Sequence, residues 1–226
     1  MGGGFQFIDI IFFALVAVFV ILRLRSVLGR RTGHEQRPTP APEPRQVDQR
    51  TADEADEDDN VVRLPGRDGQ AIPKETPLGA GLTQIKLADP NFDAGDFQEK
   101  GNAAFEYIVM AFAAGETAKL KPLLSKDVYE GFAAAIKARE ENGLTLTTTL
   151  VRIKDAELIE ASMNGRTASI TLRYLTEQIN VTTDAEDKVV DGDPDRITEA
   201  VDIWTYERNT RASDPNWTLV ATETPE

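Results

Sequence analysis

The feature that most restricts what this chain can fold into is a change of period at Gly143. Before it, apolar side chains recur at helical offsets: Phe105, Ile108, Val109 and Phe112 along one segment, then Val128, Phe132 and Ile136 along another. After it, "LTLTTTLVRIKDAELIEA" is rich in Thr, Val and Ile and follows the two-residue period of strands. Helices first and a strand meander afterwards define an α+β domain.

Local punctuation divides the two halves. Gly115 and Gly143 stand where left-handed stops end helices, and Ser125 is placed to cap the second long helix. A short helix is expected through Leu82, Ile85 and Leu87, and another through Leu120, Leu123 and Leu124. "NG" at Asn164 and Gly165 predicts a two-residue hairpin loop. In the strand after it, Ala168, Ile170, Leu172 and Tyr174 share a face, and the apolar parity then passes to Leu175, Ile179 and Val181. That shift predicts a bulge near residue 175 that bends the sheet. "DAEDKVVDGDPD" reads as a polar turn, "RITEAVDIWTYER" as a third strand and "NWTLVAT" as a fourth. The expected product is a curved antiparallel four-stranded sheet wrapped against helices, a cone with an apolar interior. Phe105, Ile108, Phe112, Phe132, Ile136, Ile170, Leu172 and Trp204 are its candidate pocket lining.

The first 76 residues are of another kind. Phe5 to Leu24 is apolar apart from Gln6, Asp9 and Arg23; at about 1.5 Å per residue, that length matches a bilayer core of about 30 Å. It is apolar all round, unlike a soluble helix. Basic residues follow the run instead of preceding it, the reverse of a secretory signal. Arg23, Arg25, Arg30 and Arg31 on that flank predict one transmembrane helix with its N-terminus outside and the rest cytoplasmic. Residues 1–31 are thus expected to be an anchor. Residues 32–76 hold six prolines and eleven acidic against six basic side chains. Such a composition predicts a disordered, extended linker, with the folded domain at 77–226.

Several chemistries are excluded or unsupported. The chain has no cysteine and one histidine, His34, which removes disulfides, thiolate sites, cysteine nucleophiles and histidine triads. With a formal net charge of -13 and no basic stripe, nucleic acid is not an expected partner. No phosphate-binding glycine loop occurs, and "DAEDKVVDGDPD" lacks the order of a calcium loop. Carboxylates and phenols for acid-base work could come from Asp155, Asp202, Tyr174 and Tyr206. Carboxylates and aromatics on a sheet are more often ordinary cross-strand pairs. No enzyme and no cofactor is therefore expected.

Taken in order, "GNAAFEYIVMAFAAGETAKLKPLLSKDVYEGFAAAIKAREENG" and "VVDGDPDRITEAVDIWTYERNTRASDPNWTL" resemble the Tim44-like domain family, over about Asp93 to Val220. The pieces that carry the resemblance are Phe112, Gly115 and Glu116; Phe132, Ile136, Arg139, Glu140 and Gly143; and Asp202, Trp204 and Arg208. The resemblance implies a nuclear transport factor 2-like cone with an apolar pocket. It also implies an adaptor role at the cytoplasmic face of a bacterial inner membrane, of the alphaproteobacterial type, in protein transport or membrane-protein biogenesis. Implied partners are inner-membrane proteins, with a chaperone or translocase component among them, and membrane lipid. The alternatives are a lipid-binding or envelope-maintenance protein without protein clients, and a pocket enzyme of the ketosteroid-isomerase type.

Overall fold

The computed structural model describes residues 75–225. The expected anchor, its four arginines and nearly all of the linker lie outside the described residues. Among those described, no helix is long and apolar enough to cross a membrane.

Four helices come first: α1 (Pro77–Ala88), α2 (Ala94–Ala113), α3 (Thr117–Leu120) and α4 (Lys126–Glu141). Each long one starts where a side-chain oxygen satisfies an orphan N–H: Thr76 accepts from Gly79, Asp93 from Asp96 and Ser125 from Val128. Gly115 and Gly143, at φ +73° and +66°, take the chain out of α2 and α4 as expected. In α1 the buried face is Leu82 and Ile85, while Leu87 is 76 % exposed. The predicted helix through Leu120, Leu123 and Leu124 stops at Leu120. Leu123 and Leu124 instead run against the last strand, where Leu219 N–H donates to the Leu123 carbonyl and Ser125 N–H to the Leu219 carbonyl.

Five strands follow: β1 (Thr145–Asn164), β2 (Thr167–Thr183), β3 (Val189–Gly192), β4 (Thr198–Asn209) and β5 (Thr218–Glu223). The sheet is antiparallel in the order β1-β2-β4-β5, with β3 also paired to β2. It has one strand more than expected, because the stretch read as a polar turn contains β3, whose Val189 to Gly192 pair with Thr183 to Val181.

Two other expectations need correcting. Asn164 pairs with Thr167, so the loop of the β1–β2 hairpin is Gly165-Arg166, one residue later than the "NG" signal placed it. Gly165, at φ +62°, takes the first loop position, as a type II′ turn requires. The predicted bulge also lies across the ladder from where it was expected. β2 pairs with β4 without interruption from Thr167 to Gln178. The register breaks fall in β1, between Leu150 and Arg152, Ile153 and Asp155, and Leu158 and Glu160. The middle one faces Thr176 and Leu175. Three extra residues in one strand lengthen it against its neighbour, and the sheet must curve to accommodate them.

The helices lie on the face formed by the even-numbered residues of β2. Ala168, Ile170, Leu172, Tyr174, Thr176 and Gln178 are all buried there. Phe105 of α2 is fully buried between Tyr174, at 4.3 Å between ring centroids, and Trp204, at 4.6 Å. Burial on this scale contributes about 2–3 kcal/mol per large side chain. Leu175, Ile179 and Val181 do not continue that face. They stand on the opposite, helix-free side of the sheet, and none of them belongs to the core cluster.

Candidate functional site

The helix-facing side of the sheet changes character along β2, and the candidate residues follow that change. At the Phe105 level the interior is apolar and closely packed. Phe105, Ile108, Ile136, Ile170, Leu172 and Trp204 are each 4 % exposed or less. Gly101 lets α2 approach here: a Cβ at that position would stand 2.6 Å from the Leu172 Cδ1. The Tyr174 and Tyr206 hydroxyls are 3.3 Å apart. Burial pushes both phenols well above the ordinary tyrosine range, so they stay neutral.

Phe112 and Phe132 sit at the margin of this core, half-buried, with ring centroids 5.0 Å apart. Arg139 of α4 organises that margin. Its guanidinium lies over the Phe112 ring at 5.5 Å and donates to the carbonyls of Phe112 at 3.1 Å and Ala113 at 2.8 Å. A cation at the C-terminus of α2 meets the carbonyls that helix geometry leaves unpaired. Desolvation lowers the Arg139 pKa from its ordinary value, though not enough to discharge a guanidinium.

Beyond the Phe105 level, toward Thr183, the same face becomes polar, which the sequence reading did not anticipate. The Thr148 hydroxyl donates to Asn180 Oδ1 at 2.7 Å, and Asn180 Nδ2 donates to Gln178 Oε1 at 3.3 Å. Gln178 Nε2 donates to Thr176 Oγ1 at 2.7 Å, and the Thr176 hydroxyl donates to the Ala200 carbonyl at 3.4 Å. The bonds all run in one direction, so every member is satisfied. Such a chain tolerates burial where isolated amides would not. Strict alternation from Ala168 onward was the signal that pointed to it. The apolar residues at 175, 179 and 181 masked that signal by offering a second, equally apolar parity.

The acid-base candidates are split between faces. Asp155 pairs with Leu175 in register, and so belongs to the helix-free side. Asp202 lies opposite Tyr174 on the helix-facing side and accepts a hydrogen bond from the Thr224 hydroxyl at 3.2 Å. Burial raises the Asp202 pKa, and the Thr224 bond opposes that in part. The Tyr174 hydroxyl is engaged with Tyr206 rather than held free for a substrate. Among the described residues, no three His, Asp or Glu side chains are grouped to hold a metal ion. An open depression of about 320 Å³ lies elsewhere, by the β4–β5 loop, lined by residues that include Glu207, Arg208, Asp214 and Asn216. None of the eight candidate lining residues borders it.

Arg208 joins α1 to that loop. Its guanidinium forms an ion pair with Asp89, at the end of α1, with both side chains 14 % exposed. It also lies over the Trp217 ring at 5.3 Å. Trp217 in turn meets Phe97 edge-on at 4.7 Å.

Comparison with known proteins places this arrangement. Residues 78–224 match the Tim44-like domain. Similar curated proteins include the mitochondrial import inner membrane translocase subunit TIM44-1 of Arabidopsis thaliana, 25 % identical over 135 residues, which are 60 % of this chain and 28 % of that one. Another is the human mitochondrial import inner membrane translocase subunit TIM44, 23 % identical over 142 residues, 62 % of this chain and 31 % of that one. The chain therefore spans less than a third of the length of these relatives. Among solved structures, the intermembrane space region of the chloroplast protein ARC6 aligns with a TM-score of 0.42 at 10 % identity, over 56 % of this chain and 95 % of that one. Since the match takes in α1 through β5, the chain belongs to the Tim44-like domain family.

Proposed function

We propose that this protein is a membrane-tethered adaptor that holds protein partners close to the cytoplasmic face of a bacterial inner membrane, in protein transport or membrane-protein biogenesis. The observation that carries the reading is the family match across the whole helix-and-sheet unit, with relatives that are import translocase subunits. The apolar run from Phe5 to Leu24 and its arginine flank supply the anchor. Residues 32–76 supply a linker, and 77–226 the binding domain, a cone of the nuclear transport factor 2-like kind. Tethering raises the domain's effective concentration at the bilayer, so that weak contacts there become occupied. The site has no free acid-base pair facing an open cavity, which favours binding over catalysis.

Phe112 and Phe132, half-buried beside Arg139, are the contact point we assign to an apolar segment of a partner. A photoreactive residue at Tyr129 or Phe132, irradiated in native membranes and analysed by mass spectrometry, tests the reading. Adducts with one or a few specific membrane or transport proteins support it. Adducts with lipid alone would transfer the function to lipid binding, and adducts with a small metabolite would transfer it to the enzyme class.

A further inference from the structure

Two of the glycines that punctuate the fold, Gly143 and Gly165, each follow an asparagine, and these are the only Asn-Gly pairs in the chain. In such a pair the backbone nitrogen of the glycine can attack the side-chain carbonyl of the asparagine, because glycine has no Cβ to hinder the approach and few restrictions on φ and ψ. The attack needs a nitrogen whose proton can pass to solvent and a side-chain amide free to turn toward it. A hydrogen bond held by either group must first be broken.

The fold treats the two pairs differently. Space does not separate them: all four residues are exposed, and a Cβ on either glycine would meet nothing within 4 Å. Hydrogen bonding does. At the end of α4, Asn142 Nδ2 donates to the Ala138 carbonyl at 2.7 Å, and the Gly143 N–H donates to the Glu140 carbonyl at 2.9 Å. Both reacting groups are thus tied back into the last turn of the helix. At the β1–β2 hairpin neither is tied. The ladder closes with Asn164 opposite Thr167, which leaves Gly165 in the loop. Among the described residues, the Gly165 N–H and the Asn164 side chain have no hydrogen-bond partner. Ring closure also requires the Asn164 backbone to leave the strand conformation. Asn164 is the last residue of β1, so only the terminal pair of the ladder has to open, and such ends fray at little cost.

We propose that Asn164 is a self-modifying site, deamidated through a succinimide in the folded chain, while the fold protects Asn142. The Gly165 nitrogen, its proton passing to solvent, bonds to Asn164 Cγ; the Cγ–Nδ2 bond breaks and Nδ2 leaves as ammonia. Water then opens the ring at one carbonyl or the other, giving aspartate or isoaspartate. No electrons are transferred, and water is the only co-reactant. The product adds a negative charge next to Arg166. In the isoaspartate the main chain is longer by one carbon, close to the Arg166 carbonyl that accepts from the Thr210 N–H at 2.9 Å and the Thr210 hydroxyl at 3.1 Å. The proposal does not depend on the adaptor reading.

The test follows the purified full chain at pH 8 by peptide mass spectrometry over time, beside the same chain unfolded in urea and a synthetic peptide of residues 160–168 as a clock. In the folded chain Asn164 should deamidate at least about tenfold faster than Asn142, since two hydrogen bonds must break at Asn142, each worth about a factor of five. Isoaspartate should appear at position 164 together with aspartate, and in urea the two rates should converge. Four results would overturn the proposal: Asn142 reacting as fast as Asn164 in the folded chain, a preference for Asn164 that persists unchanged in urea, aspartate without isoaspartate, or Asn164 still intact when the peptide has been fully converted.

Discussion

Gly81 is a position where one added methyl group is costly. A Cβ there would fall 1.9 Å from the Ala161 carbonyl oxygen, a backbone atom that cannot swing aside. Gly81→Ala should therefore lift α1 off β1 and destabilise the domain by about 1–3 kcal/mol, read as a fall in the urea midpoint. Gly131→Ala, where nothing stands within 4 Å, is the matched control and should leave the midpoint unchanged or raise it. Asp202 gives the pH-dependent counterpart. Its folded pKa is raised, so the folded state holds the proton more tightly than the unfolded chain. That stabilisation is complete below the ordinary aspartate pKa and is lost as pH rises through the folded value. Asp202→Asn should consequently raise the melting temperature at pH 7 and confer no advantage near pH 3, where the wild-type carboxyl is already neutral. Of these two positions, the sequence marked Asp202 as a candidate but left Gly81 unremarked, because a close approach between segments about 80 residues apart leaves no local trace.

At the scale of elements, α1 is held at two points: by Gly81 against β1, and by Asp89 against Arg208 of β4. Arg208→Met keeps the length of the side chain but leaves Asp89 without its cation in a site where it is 14 % exposed. A loss of about 3 kcal/mol is expected. Faster amide exchange in Leu82 and Ile85 would show that α1 is the element released. The polar chain on β2 predicts a cost of a different kind. Gln178→Ala removes the central link and leaves the Asn180 amide and the Thr176 oxygen without each other's support, a loss of about 1–3 kcal/mol. Element types and ends were legible where capping residues and glycines fix them, as at Ser125, Gly115 and Gly143. Strand faces were harder to read. β2 is apolar on both sides, so its composition could not say whether Tyr174 or Leu175 looked inward, and only the helices packed above Tyr174 decide it. The eight lining residues were identifiable as apolar positions at helical and strand spacing. Which of them lie deep and which at the margin depends on how α2 crosses the sheet, a tertiary property.

For the molecule as a whole, the anchor and linker we propose would confine the domain to the volume beside the bilayer, so that a partner held in the same membrane would meet it at a raised effective concentration without any new contact. Removing residues 1–31 should then weaken binding of a membrane-held partner while leaving binding of the same partner's isolated contact segment unchanged; a titration with each would show it.

The three extra residues in β1 have a consequence for solubility. β1 is an edge strand twenty residues long, and a flat edge of that length would be an open template for recruiting strands from other chains into aggregates. Register breaks at Val151, Lys154 and Ile159 interrupt the run of its N–H and C=O groups every few residues, and Gln98 of α2 donates to the Ala156 carbonyl, so an incoming strand finds no continuous row to pair along. Deleting those three residues should leave the pairing with β2 intact and make the chain form thioflavin-positive aggregates on storage. The irregularity that curves the sheet around its helices also keeps the sheet from growing.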